Sequence, residues 1–100
     1  MPQFDVYKSR SKKVELLLDL QDDMLKNLST RVVAPLVPPN MLTPRMNIVN
    51  PVLILNGREY ILLTHLLAAV KSNTLGKNIG SVSEQRNQIV AALDMLFTGI

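Results

Sequence analysis

The 100-residue sequence has no cysteine and no tryptophan, and its aromatic residues are two tyrosines and two phenylalanines. Without cysteine there are no disulfides, no thiolate nucleophile and none of the common thiolate zinc sites, which suits a reducing compartment. With hydrophobic residues at 47% and aromatics at 4%, a core must be built from Leu, Val, Ile and Met rather than from rings. Long apolar runs are also missing. The greasiest stretch, Tyr60 to Val70, is broken by Thr64 and His65 and falls well short of the roughly 20 residues of a spanning helix. The opening "MPQFDVYKSR" carries no apolar run behind a basic segment and is not a signal peptide; a cytoplasmic protein is the expectation. Gly76 and Gly80 in "LGKNIGS" lack the Lys-Ser or Lys-Thr that follows in a phosphate-binding loop.

What is present is enough aliphatic area for one domain that buries roughly two thirds of its unfolded surface. So much of it on so short a chain points to a homo-oligomer. The net charge is +3, and the densest basic cluster is Lys8, Arg10, Lys12 and Lys13. Such a cluster is ordinarily a solvated turn; a nucleic-acid site gains from stacking aromatics, and only Tyr7 is near, so an acidic partner protein explains it as well.

Hydrophobic alternation marks strands at Gln3 to Lys8 and Val14 to Leu20, joined as a hairpin through "SRSK". Arg31 to Val37 reads as a third strand, with Pro35 placing it at an edge, an end or a bulge. Four prolines between Pro38 and Pro51 mark a long connection. Asn56-Gly57 between two β-rich runs is a strong hairpin signal and sets strands four and five. "HLLAAV" continues the last strand, though its composition also fits a short helix, and "KSNTLGKNIGS" is read as loop. A C-terminal helix follows, with Ser81 and Glu84 in capping-box spacing and Ser83 as a rival cap. Its apolar side carries Ile89, Ala92, Leu93 and Leu96, with Val90 and Phe97 at the margin. Five strands and one helix give an α+β protein, mainly β, as a small twisted sheet or partly closed barrel.

Catalytic constellations are hard to find. His65, the single histidine, has no serine or carboxylate at a telling spacing and reads as structural. Asp19, Asp22 and Asp23 form one acidic knot, which turn chemistry and capping explain better than a hard metal. No metal or cofactor is implied, and nothing recommends an enzyme. The ending "DMLFTGI" is the oddity: Phe97 and Ile100 at a terminus have to be buried or to meet a partner.

Four segments taken together, "QFDVY", "LDLQDDML", "RVVAPL" and "SEQRNQIVAALDMLFTGI", resemble the CcdB family of bacterial toxin-antitoxin toxins in order and over nearly the whole chain. The resemblance implies an SH3-like, partly closed antiparallel barrel of the kind shared with MazF ribonucleases, here over residues 1–100. It also implies a homodimer that poisons DNA gyrase by binding its A subunit and stabilising the cleaved-DNA state, without catalysis, sequence-specific nucleic-acid binding or a membrane, in the service of plasmid maintenance. On this reading the gyrase-binding residues are Met24, Leu25, Asp94, Phe97, Thr98, Gly99 and Ile100, and the apolar ending is displayed rather than buried. A CcdA-like antitoxin with a disordered segment is the implied second partner, and Lys8, Arg10, Lys12 and Lys13 are candidate contacts.

Three departures accompany the resemblance. Thr98 stands where well-known members carry Trp, removing a cation-π contact of roughly 0.5 to 2 kcal/mol. Lys71 replaces a frequent Pro, and the first hairpin turn is short. The alternatives are a MazF-like ribonuclease on the same fold and a decayed, non-toxic homologue that still binds antitoxin.

Overall fold

Alternation becomes pairing at the N-terminus. In the computed structural model, which describes residues 2–10, 16–25, 27–41 and 48–99, β1 (Asp5–Ser9) runs antiparallel to β2 (Leu16–Asp19) with Val6 opposite Leu18. Val6, Leu16, Leu18 and Leu20 are buried together with Phe4, as the period of two requires. The turn of this hairpin, with Lys12, Lys13 and Val14, lies outside the described residues.

The centre of the sheet is β3 (Thr30–Val37). One side pairs with β2. The other side is shared: Leu36 and Val37 pair with β5 (Arg58–Leu62), and Thr30 to Val33 pair with β6 (Ala68–Lys71). Between those two partners the chain makes a 3-10 turn, Thr64–Leu66. Pro35 therefore sits in a central strand, opposite the break in its partner, where a missing N–H costs no ladder bond. None of the three placements expected for this proline, edge, end or bulge, is realised: it pairs with Leu17 in regular register within β3.

The β4 (Val52–Leu55) to β5 hairpin turns through Asn56 and Gly57, with φ of 52° and 79°. This is the two-residue type I′ geometry that Asn-Gly predicts. Two expectations need correction downstream. "HLLAAV" is neither one strand nor a helix but the 3-10 turn followed by β6. The segment read as loop is β7 (Leu75–Ser81), which pairs with β1 through two register shifts. Among the described residues the sheet thus has seven strands, in the order β4-β5-β3-β2-β1-β7 with β6 beside β3. The glycines of this strand serve close approach: a Cβ at Gly76 would lie 2.6 Å from the Lys8 carbonyl oxygen, and one at Gly80 2.9 Å from Leu55 Cδ1.

The helix α1 (Arg86–Thr98) follows a 3-10 turn at Ser83–Gln85. The capping box does not form. Gln85 is the N-cap and makes no capping bond, while Ser81 Oγ accepts the Ser83 N–H at 3.1 Å and so serves the turn. Ile89 and Ala92 are buried, and Val90 and Leu93 pack against the core. Gln85 instead closes the barrel seam. Its Nε2 donates to the Ile54 carbonyl at 2.7 Å and its Oε1 accepts the Ile54 N–H at 2.8 Å, while Asn56 Nδ2 donates to the Ile79 carbonyl at 3.1 Å. The result is a curled antiparallel half-barrel with one C-terminal helix.

A charge pair is sealed into this fold. Arg31, 1% exposed, donates from Nε and Nη2 to Asp19 Oδ2 at 3.0 and 2.7 Å, and Asp19 is fully buried. Burial pushes the Asp19 carboxyl above the usual carboxylate range, against the pull of Arg31 and of the Gln21 N–H that donates to Oδ1. Tyr7 is also buried, and desolvation with the nearby charges of Asp5 and Asp19 raises its phenol above 10.0, while Arg31 and Asn78 pull it back.

Two measurements check this description. Arg31→Met alone leaves Asp19 without its counter-charge and is expected to cost about 3 to 5 kcal/mol in urea unfolding, whereas the double variant Asp19→Leu, Arg31→Met recovers most of the loss. For Tyr7, the unfolded chain ionises near pH 10.0 while the fold retains the proton. Its contribution is therefore complete below pH 10.0 and is lost as the pH rises through that value toward the raised one. The urea midpoint of the wild type should fall relative to that of Tyr7→Phe across this range, and a constant difference would refute the assignment.

Candidate functional site

The far end of α1 stops for a local reason. Gly99 takes a left-handed φ of 72°, which lets its N–H donate to the Met95 carbonyl at 3.1 Å. One turn back, Thr98 Oγ1 donates to the Asp94 carbonyl at 2.6 Å. Asp94, Phe97 and Thr98 are spaced three and four residues apart and share one helix face. All three are exposed along with Gly99, and Phe97 is 69% exposed. Leu93 and Leu96 are half-buried, so Phe97 marks where the apolar stripe of α1 runs past the sheet. Ile100 lies outside the described residues.

Met24 and Leu25 reach solvent from a different element. The turn Asp23–Leu25 is built by Asp22, whose Oδ1 accepts the Met24 N–H at 2.8 Å and whose carbonyl accepts the Leu25 N–H at 3.0 Å. Gln21 anchors it from below, donating through Nε2 to the Leu25 carbonyl and accepting the Val32 N–H, both at 3.1 Å. The turn leaves Met24 90% and Leu25 49% exposed. The acidic knot thus divides its labour: Asp22 shapes the turn as expected, while Asp19 is the buried partner of Arg31, a pairing the sequence did not disclose.

The main packing of α1 is on the turns Thr64–Leu66 and Ser83–Gln85, so the turn with Met24 and Leu25 is not among its principal neighbours. Lys8 and Arg10 are exposed, and Lys12 and Lys13 lie outside the described residues. Tyr7 pairs with Asn78 and Ser9 with Leu75, which brings Lys77 alongside Lys8; the loop reading of that segment hid this neighbour. His65 sits exposed on the 3-10 turn, with Nδ1 3.2 Å from Nδ2 of the buried Asn50, which also donates to the Leu62 carbonyl at 3.1 Å. Its visible role is to hold that turn beneath α1.

No helix among the described residues is long and apolar enough to cross a membrane. Among solved structures, the fold is similar to an endoribonuclease in complex with its cognate antitoxin from a mycobacterial species, with a TM-score of 0.79 over 95% of this chain and 92% of that one. At 15% identity the likeness speaks for the fold alone. The family model described as CcdB protein matches residues 3–99, nearly the whole sequence, and the chain belongs to the CcdB family.

Proposed function

We propose that this protein is the toxin of a type II toxin-antitoxin module, a cytoplasmic homodimer that binds the A subunit of DNA gyrase and stabilises its cleaved-DNA complex. The observation that carries the reading is the exposed face formed by Asp94, Phe97, Thr98 and Gly99 at the end of α1. A large ring at 69% exposure beside a free carboxylate is the composition of a binding anchor, not of a packed helix end. Ile100 would extend the patch. In a symmetric dimer two such ends meet a target that is itself two-fold symmetric, and Met24 and Leu25 supply adaptable apolar area.

No bond-making is required of the toxin. A ligand that binds the cleaved state better than the resealed one shifts gyrase toward the break by that difference in affinity. Asp94 would accept a charge-assisted hydrogen bond from a gyrase arginine, and with Thr98 in place of a ring it becomes the main polar contact of the helix end. The antitoxin would approach through Lys8 and Arg10, and through Lys12 and Lys13 that follow them in the sequence.

A second reading has one observation in its favour: a solved structure of similar fold is an endoribonuclease. The Arg31–Asp19 pair is no support for it, because both side chains are sealed from solvent.

The deciding experiment adds purified protein to gyrase and plasmid DNA, beside a variant lacking Thr98 to Ile100. The intact protein should trap cleaved DNA. The shortened one should not, while keeping its circular dichroism spectrum and dimer mass. RNA fragmentation without gyrase that survives the truncation would establish the ribonuclease instead, and absence of growth arrest on induction would mark a decayed homologue. Phe97→Ala should weaken gyrase binding by about thirtyfold, the loss of roughly 2 kcal/mol expected for a buried aromatic anchor.

A further inference from the structure

The seam between β4 and β7 rests on a residue with a reactivity of its own. Asn56 is the only asparagine of the sequence that is followed by glycine. The pair forms the exposed turn of the β4–β5 hairpin, and a Cβ at Gly57 would meet nothing within 4 Å. The Gly57 nitrogen therefore has no side chain beside it to keep off the Asn56 amide carbon, and asparagine is among the residues that age chemically. Asn73, Asn78 and Asn87 are exposed as well, but they precede Thr74, Ile79 and Gln88, whose side chains crowd the nitrogen.

The same amide has a structural task. Its Nδ2 donates to the Ile79 carbonyl at 3.1 Å, and a Cβ at Gly80 would lie 3.8 Å from both Nδ2 and Oδ1. The Asn56 side chain is thus held against β7. Its Cγ is free to turn onto the Gly57 nitrogen only after the bond to Ile79 has opened, so a closed seam guards the reaction. Gln85 is the other half of the guard, since it holds Ile54 through the N–H at 2.8 Å and the carbonyl at 2.7 Å.

We infer that Asn56 is a self-modification site, which converts to aspartate or isoaspartate when the seam opens and thereby removes one of the two amides that close the half-barrel. In the first step the Gly57 nitrogen bonds to Asn56 Cγ, the Cγ–Nδ2 bond breaks, and ammonia leaves with the proton that the Gly57 nitrogen gives up. Water then opens the cyclic imide at either carbonyl and restores the N–H. Both products lack the amide donor. With aspartate, a carboxylate oxygen faces the Ile79 carbonyl, acceptor against acceptor. Isoaspartate also lengthens the main chain by a methylene within a turn that has positive φ at both residues. Opening of the seam is reversible and the conversion is not, so the site sets a lifetime on the closed fold. The proposal is independent of what the end of α1 binds.

The test incubates the intact protein at mildly alkaline pH and follows each asparagine by peptide mapping with mass spectrometry and isoaspartate detection. Conversion should appear at Asn56 well ahead of Asn73, Asn78 and Asn87. Gln85→Ala, which frees both main-chain groups of Ile54, should speed it about tenfold. Should that variant fail to fold, Gln85→Glu, which keeps an acceptor for the Ile54 N–H, should give a smaller rise in the same direction. Asn56→Asp keeps a turn-forming residue without the amide and so reproduces the converted state. Its urea midpoint should lie below that of the wild type, and the gap should narrow as the pH falls toward about 3.9, where a protonated carboxyl regains a donor. Conversion at Asn56 no faster than at the other asparagines would overturn the proposal. So would a rate that the Gln85 variants leave unchanged, or an Asn56→Asp midpoint equal to that of the wild type.

Discussion

The sealed contact between Asp19 and Arg31 is what the rest of this structure depends on. It ties β2 to β3 from the side of the sheet opposite the main apolar cluster, where Tyr7, Val33 and Leu75 form a smaller core. A slip of one residue between β2 and β3 would turn one of these charges toward the aliphatic core and separate the pair, so the register is held by a cost far larger than any single apolar contact. The same polar cluster reaches outward. The Arg31 Nη2 donates to the Gln21 carbonyl at 3.2 Å, and Gln21 in turn holds the turn from which Met24 and Leu25 project. An interior charge and an exposed binding candidate are thus mechanically continuous.

The second constraint is how the half-barrel is closed. The ends of the strand path, β4 and β7, meet through two side-chain amides and not through a hydrogen-bonded ladder. Gln85 is also the residue from which α1 starts. The direction of the helix, and hence the place where Phe97 and Gly99 are offered to solvent, is set at the seam. The turn held by His65 and Asn50 supports α1 from below. The display of the helix end is thus a property of the sheet's closure as much as of the helix itself.

Some elements could be read directly from residues. Asn56-Gly57 announced its hairpin because positive φ at two successive positions is a local demand that few residue pairs meet. The strands β1, β2 and β3 and the apolar side of α1 were legible because burial on one face imposes a period. The exposed ending was legible as an anomaly once its order of segments was compared with the CcdB family. β7 was not, since it is held by main-chain pairing to β1 and by close backbone approach at Gly76 and Gly80, and a strand of that kind leaves no alternation to find. The capping box failed for a related reason: Ser81 had been claimed by the strand and by the turn after it.

The sequence by itself therefore determined the aliphatic core, the Asn56-Gly57 hairpin turn, the helix and the family, all of which depend on neighbours within a few residues or on ordered motifs. The tertiary structure alone decided that Asp19 meets Arg31, that Gln85 closes the seam and that β6, among the described residues, pairs with β3 alone. Each of these joins groups distant along the chain, and the energy of such a contact depends on burial and orientation, which no local pattern encodes.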